Sequence, residues 1–199
     1  MPDSTRTFVA IALPDAVGQR LTKLQSQLAP DLPGVRWTAT PPFHVTLAFL
    51  GDVEDADLNA VCRGVADASA EFAPLDLRVE GVGAFPDPAR PRILWAGLTG
   101  PGLEPLAAHQ KAVLKAVAAA GYRVSDTRFH PHVTLGRVRP GRGPAPNLSP
   151  IVNRYKTWSA GAFTVVEAIT FASTLSPDGP IYASLGRAPL AGRKLESGA

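Results

Sequence analysis

A single cysteine, Cys62, occurs in 199 residues, so the chain can form no internal disulfide and no multi-cysteine metal site. Its neighbours at helical spacing, Leu58, Val61 and Val65, place Cys62 on the apolar side of a predicted helix, a core position. No run of about 18 apolar residues exists, which excludes a membrane-spanning helix. Met1-Pro2-Asp3-Ser4-Thr5-Arg6 carries no signal-peptide pattern, and cytoplasmic residence is the expectation. A Gly-x-Ser-x-Gly elbow is missing, leaving a Ser-His-Asp hydrolase without support. Gly81-Val82-Gly83 lacks the rest of a dinucleotide fingerprint. Charge imbalance is small: the formal net charge of +3 suits an anionic ligand but does not by itself indicate nucleic acid.

Against these absences, two stretches repeat. Phe43-His44-Val45-Thr46-Leu47-Ala48-Phe49-Leu50-Gly51 and His130-Pro131-His132-Val133-Thr134-Leu135-Gly136-Arg137-Val138 both contain His-Val-Thr-Leu. Shuffling this composition gives only ~0.03 His-x-Thr-Leu matches, so two copies are a strong signal. Side chains alternate along a strand. His44 and Thr46 therefore share one face, with Val45, Leu47 and Phe49 on the other. His132 and Thr134 repeat the arrangement above Val133 and Leu135.

The remainder reads as short elements punctuated by 20 Pro and 18 Gly. Phe8 to Leu13 predicts a strand, and Asp15 a cap for a helix presenting Val17, Leu21, Leu24 and Leu28. Val35 to Thr38 predicts an extended piece, and Pro41-Pro42 a turn. After Gly51 comes a helix with Leu58, Val61, Val65 and Phe72 inward. Leu75, Leu77 and Val79 alternate with charge, a strand toward Phe85, and Ile93 to Leu98 is a further strand. Pro101 to Ala120 predicts a helix on which His109 is solvated; Tyr122 to Ser125 predicts an edge strand. Residues 139–150 read as a loop carrying Arg139 and Arg142. Phe163 to Leu175 and Ile181 to Leu185 predict a closing hairpin around Ser176-Pro177-Asp178-Gly179. The interval from His44 to His132 is 88 residues, as it is from Ile93 to Ile181, which points to internal duplication. The expected architecture is α+β and bilobal: two antiparallel sheets flank a central cleft, with helices outside. One domain over 1–189 and a frayed tail over 190–199 complete the expectation, as a monomer.

Two imidazoles near one phosphodiester supply a general base and a general acid, because an ordinary His titrates near pH 6.5. Thr46 and Thr134 can donate to the non-bridging oxygens. Arginine would add charge, and Arg137 follows the second motif, although strict alternation puts it on the apolar face unless a bulge at Gly136 redirects it. Spacing leaves open which His is acid and which is base.

With these residues, the chain resembles the two-histidine phosphoesterase superfamily, and within it the RNA 2′,3′-cyclic phosphodiesterases of the 2′-5′ RNA ligase family. Trp37 and Ser173-Thr174-Leu175-Ser176-Pro177-Asp178-Gly179-Pro180-Ile181-Tyr182 share in the resemblance, which covers roughly Phe8 to Leu185. It implies hydrolysis of a 2′,3′-cyclic phosphate on an RNA end or nucleotide to a 2′-phosphomonoester, without metal or cofactor, and in some members the reverse 2′-5′ ligation. It also implies His44 as proton donor, His132 as proton acceptor and Arg137 as a phosphate ligand. Phe49, Tyr182 and Trp37 are candidates for stacking a base, with a core role the alternative for each. Two other readings stand: a metal hydrolase using His130 and His132, and a non-catalytic RNA or nucleotide binder keeping the same cleft.

Overall fold

The computed structural model describes residues 3–38, 42–124, 128–139, 146–176 and 179–192. The Pro41 position of the predicted turn, Arg142, the centre of the Ser176–Gly179 turn and most of the tail lie outside them. Strand β1 (Ser4–Ala12) leads into helix α1 (Asp15–Leu28), the short strand β2 (Val35–Trp37) and the first motif strand β3 (His44–Glu54). Helix α2 (Leu58–Ala70), β4 (Leu75–Phe85), β5 (Ile93–Thr99), α3 (Leu103–Ala119) and the second motif strand β6 (His132–Val138) follow. A short α4 (Ser149–Arg154), β7 (Ser159–Val165), β8 (Glu167–Ser176) and β9 (Gly179–Pro189) complete the order.

Hydrogen bonding runs β7-β4-β5-β6-β3-β1-β8-β9, with β2 on β6, and every pairing is antiparallel. The order is palindromic about the β6–β3 seam. There the register holds one pair, Val45 opposite Val133. The two antiparallel sheets anticipated from the sequence are the halves on either side of it. Chain repeat and spatial half do not coincide: β4, from the first repeat, joins the half built on β6, and β8 and β9 join the half built on β3. The exchange ties the duplicated units into one body. One continuous core runs from Val9 and Leu21 through Val45 and Val133 to Val117 and Val165, all buried. Among the described residues, no helix is long and apolar enough to cross a membrane.

Several local expectations change. Pro14, not Asp15, occupies the N-cap of α1; Asp15 is the first helical residue, where its charge favours the helix N-terminus. β3 continues through Gly51, whose φ of +75° glycine tolerates, to Glu54 before α2 begins. Gly121 to Val124 is irregular instead of an edge strand. Tyr122 instead donates to the Asp57 carboxylate (2.7 Å) and accepts from the Glu54 N–H (3.1 Å), fastening the end of α3 to the start of α2. Ser149 and Pro150 belong to α4, and exposed Val166 splits the long predicted strand into β7 and β8. Cys62 is half-buried. A Cβ built on Gly186 of β9 would sit 3.0 Å from its sulfur. Leu190 and Gly192, assigned to the tail, are held: Leu190 is buried, its N–H donates to the Val166 carbonyl, and that of Gly192 to the Phe72 carbonyl.

His109 is the largest reversal. It is fully buried in the seam between α2 and α3, with Nε2 2.8 Å from the Ser69 hydroxyl and its ring 5.0 Å from that of Phe72. Burial pushes its pKa down to about 4, so it packs as a neutral ring.

Candidate active site

Val45 opposite Val133 in an antiparallel pair sets the neighbours: His44 stands across from Thr134, and Thr46 across from His132. All four polar side chains thus project from the face opposite the two buried valines. A cleft of about 560 Å³ opens over this face, lined by His44, Thr46, Thr134 and Arg137 together with Phe49, Trp37 and Tyr182. His132 stands beside this wall, half-buried.

The two rings are held alike. His44 Nδ1 lies 3.1 Å from the Pro42 carbonyl and His132 Nδ1 2.6 Å from the His130 carbonyl, each two residues upstream. A carbonyl only accepts, so each ring carries its proton on Nδ1 and keeps Nε2 for a ligand. Aromatic rings fix the planes. Tyr182 meets His44 edge-on at 5.4 Å, and Phe8 packs against it at 5.1 Å. Phe85 meets His132 edge-on at 5.0 Å, with Trp95 at 6.3 Å.

Burial lowers the pKa of His44; its carbonyl partner opposes this, and the charge of His132 lowers it further. The dependence on His132 places both rings in one electrostatic neighbourhood. His132 is lowered by burial first, against its own carbonyl bond, and then by the charges of His130 and Arg137. Burial raises the pKa of Tyr182, and Arg137 works against that.

Both motif strands break alternation at the same place. Opposite β1, Val9 pairs with Ala48 but Ala10 with Thr46, so Leu47 is an extra residue. Opposite β5, Leu94 pairs with Gly136 but Trp95 with Thr134, so Leu135 is extra. An inserted residue of this kind inverts the facing of everything beyond it. Leu47 and Ala48 are consequently both buried, as are Leu135 and Gly136, while Phe49 and Arg137 turn out into the cleft. This corrects the alternation-based placement of Phe49 with the apolar face and resolves the parity objection to Arg137. Gly136 is required by close packing: a Cβ there would come within 2.6 Å of Val35 Cγ1.

The cleft adds residues that the sequence had not singled out, Arg6, Arg36, Thr38 and Phe43. Arg6 lies over the Phe49 ring, 4.9 Å from its centroid. Proximity of Arg36 to Trp37 in sequence was the available clue. Arg139 is not on the cleft wall; its N–H donates to the Gly34 carbonyl. His130 is exposed outside any helix or strand, and among the described residues no three His, Cys, Asp or Glu side chains group as metal donors.

The LigT like Phosphoesterase family model matches the chain twice, over residues 11–95 and 98–182, one match per repeat. An RNA 2′,3′-cyclic phosphodiesterase from Archaeoglobus fulgidus is 32% identical over 180 residues, covering 90% of this chain and 97% of the relative. A crystal structure of a Thermus thermophilus protein superposes with a TM-score of 0.73 at 28% identity, covering 94% of this chain and 98% of the other. E. coli LigT, crystallised with 3′-AMP, shares the fold with a TM-score of 0.75 at 24% identity, covering 94% and 99%.

Proposed function

This chain belongs to the LigT-like phosphoesterase family and is a phosphodiester hydrolase. We propose that it opens 2′,3′-cyclic phosphates on RNA ends and nucleotides to 2′-phosphomonoesters, without a metal, by a paired histidine mechanism. The observation that supports the proposal is the Val45–Val133 register, which aligns two His and two Thr on one face, with His44, Thr46 and Thr134 lining the cleft and His132 beside it.

In the proposed reaction, His132 Nε2 takes a proton from water as its oxygen bonds to phosphorus. The P–O3′ bond breaks, and His44 Nε2 gives its proton to the departing O3′. Each transfer supplies roughly 10²–10⁴-fold. Thr46 and Thr134 donate to the non-bridging oxygens, and Arg137 offsets the charge gathering there. Burial, with smaller contributions from the charges of His130 and Arg137, lowers the pKa of His132 and favours its neutral, proton-accepting form. With the 5′-hydroxyl of a second RNA end in place of water, the same groups would form a 2′-5′ linkage, the ligation that some relatives of this kind are expected to perform.

Incubation with a nucleoside 2′,3′-cyclic phosphate in excess EDTA, with the product isomer identified by phosphorus NMR, tests this directly. A 2′-phosphate is expected. A 3′-phosphate would reverse the leaving oxygen, loss of turnover in EDTA would restore a metal role, and ligand binding without turnover would leave a binding protein.

A further inference from the structure

Arg36 and Arg137 are register partners across β2 and β6. Side chains directly opposite in an antiparallel pair share a face with Cβ atoms roughly 5 Å apart, and like charges placed there repel. Both are exposed, and both line the cleft. Among the described residues, the lining contains no Asp or Glu and neither arginine has an ion pair with a carboxylate. Arg36 is set against another cation, on a wall whose described residues include no carboxylate. Such a pair is stabilised when anions occupy it.

The reacting cyclic phosphodiester carries one negative charge, which Arg137 beside His132 can meet. A second guanidinium exceeds that need. Resting on the reading of His44 and His132 given above, we propose that Arg36 binds the phosphodiester on the 5′ side of the terminal nucleoside. The substrate class is then a strand end of at least two nucleotides, since a lone nucleoside cyclic phosphate has no such group. Trp37, next in sequence, also lines the cleft while packing partly against the core.

The test compares kcat/KM for a nucleoside 2′,3′-cyclic phosphate and for a dinucleotide ending in the same group, with the intact chain and with Arg36→Gln and Arg36→Lys. The intact chain is expected to favour the dinucleotide by about 10- to 100-fold, the scale of a charge-assisted contact. Arg36→Gln should collapse that ratio, and Arg36→Lys should recover part of it by keeping the charge. The salt slope for the dinucleotide should shrink by ~0.7 in Arg36→Gln, as one single-strand phosphate contact is lost. No preference in the intact chain, or equal loss on both substrates, would overturn the assignment. If neither substrate is turned over, the catalytic reading fails instead. Dissociation constants of mononucleotide and dinucleotide 3′-phosphates then give the same ratio and decide the role of Arg36 independently.

Discussion

Gln25 of α1 donates from Nε2 to the Leu135 carbonyl at 2.8 Å, the carbonyl of the extra residue in the second motif strand. Its counterpart is Gln110 of α3, whose Nε2 donates to the Leu47 carbonyl at 3.2 Å in the first. Both glutamines are buried; the Leu135 carbonyl also accepts from the Thr38 N–H at 2.9 Å, and Gln25 reaches the Thr38 carbonyl at 3.1 Å, so Gln25 ties the inserted residue to the chain beyond β2. Each holds in place the break that turns Arg137 or Phe49 into the cleft. Gln110→Leu should lower stability by about 1–3 kcal/mol in urea unfolding, the cost of a buried carbonyl losing its side-chain donor, and Gln25→Leu by less, because the Leu135 carbonyl keeps the Thr38 N–H. Stability equal to the parent would show that water replaces the amides.

The free-enzyme pH profile follows from two lowered pKa values. In the proposed mechanism His132 must be neutral to accept a proton and His44 charged to give one, and burial holds both below the ordinary value of 6.5. The profile of kcat/KM should therefore be bell-shaped with its optimum on the acidic side of neutrality. Removing the Arg137 charge with Arg137→Met should move the acidic limb upward. An optimum above about pH 7.5 would contradict the environment described for the two rings.

Substitutions separate proton transfer from oxygen binding. His44→Ala and His132→Ala should each lower kcat by roughly 10²–10⁴-fold while substrate still binds. Thr46→Val and Thr134→Val, which keep shape and remove a donor, should cost less, about 10²–10³-fold in kcat. Single-turnover rates with saturating substrate read this out, and parent-like rates in either His variant would remove that ring from the mechanism.

His109 predicts a pH-dependent stability unrelated to turnover. Its pKa is about 4 when folded against 6.5 when exposed, so the unfolded chain binds the extra proton between those values. Its neutral packing stabilises fully above pH 6.5, and this is lost as pH falls toward 4, by about 3 kcal/mol in all. His44 and His132 shift in the same direction, so the comparison needs His109→Gln, whose amide can still reach Ser69. Urea midpoints should fall less steeply between about pH 7 and 4.5 in the variant than in the parent, and parallel curves would refute the assignment.

Much of the site was legible because period-two alternation and an 88-residue interval are properties of the chain itself. His44, Thr46, His132 and Thr134 come together on one face as alternation requires. Arg137 and Phe49 did not yield to the same rule, since the inserted leucines depend on pairing with β1 and β5, which are distant in sequence. His109 misled for a similar reason. Its helix offers an apolar stripe from Leu106 to Val117, and only the approach of Ser69 from α2 and of Phe72 just beyond that helix encloses the ring. Gln25 and Gln110 read as ordinary polar helix positions until the strand carbonyls they serve are known.

Phe49 and Arg137 occupy corresponding places in the two repeats, separated by the same 88 residues as the histidines. A groove with true two-fold symmetry would be ambidextrous, accepting a bound anion equally well in either sense. Here one side offers the Phe49 ring under the Arg6 guanidinium and the other offers Arg137 itself. That inequality gives the groove two unlike ends, so under the proposed function a bound strand would meet an aromatic face at one end and a bare guanidinium at the other.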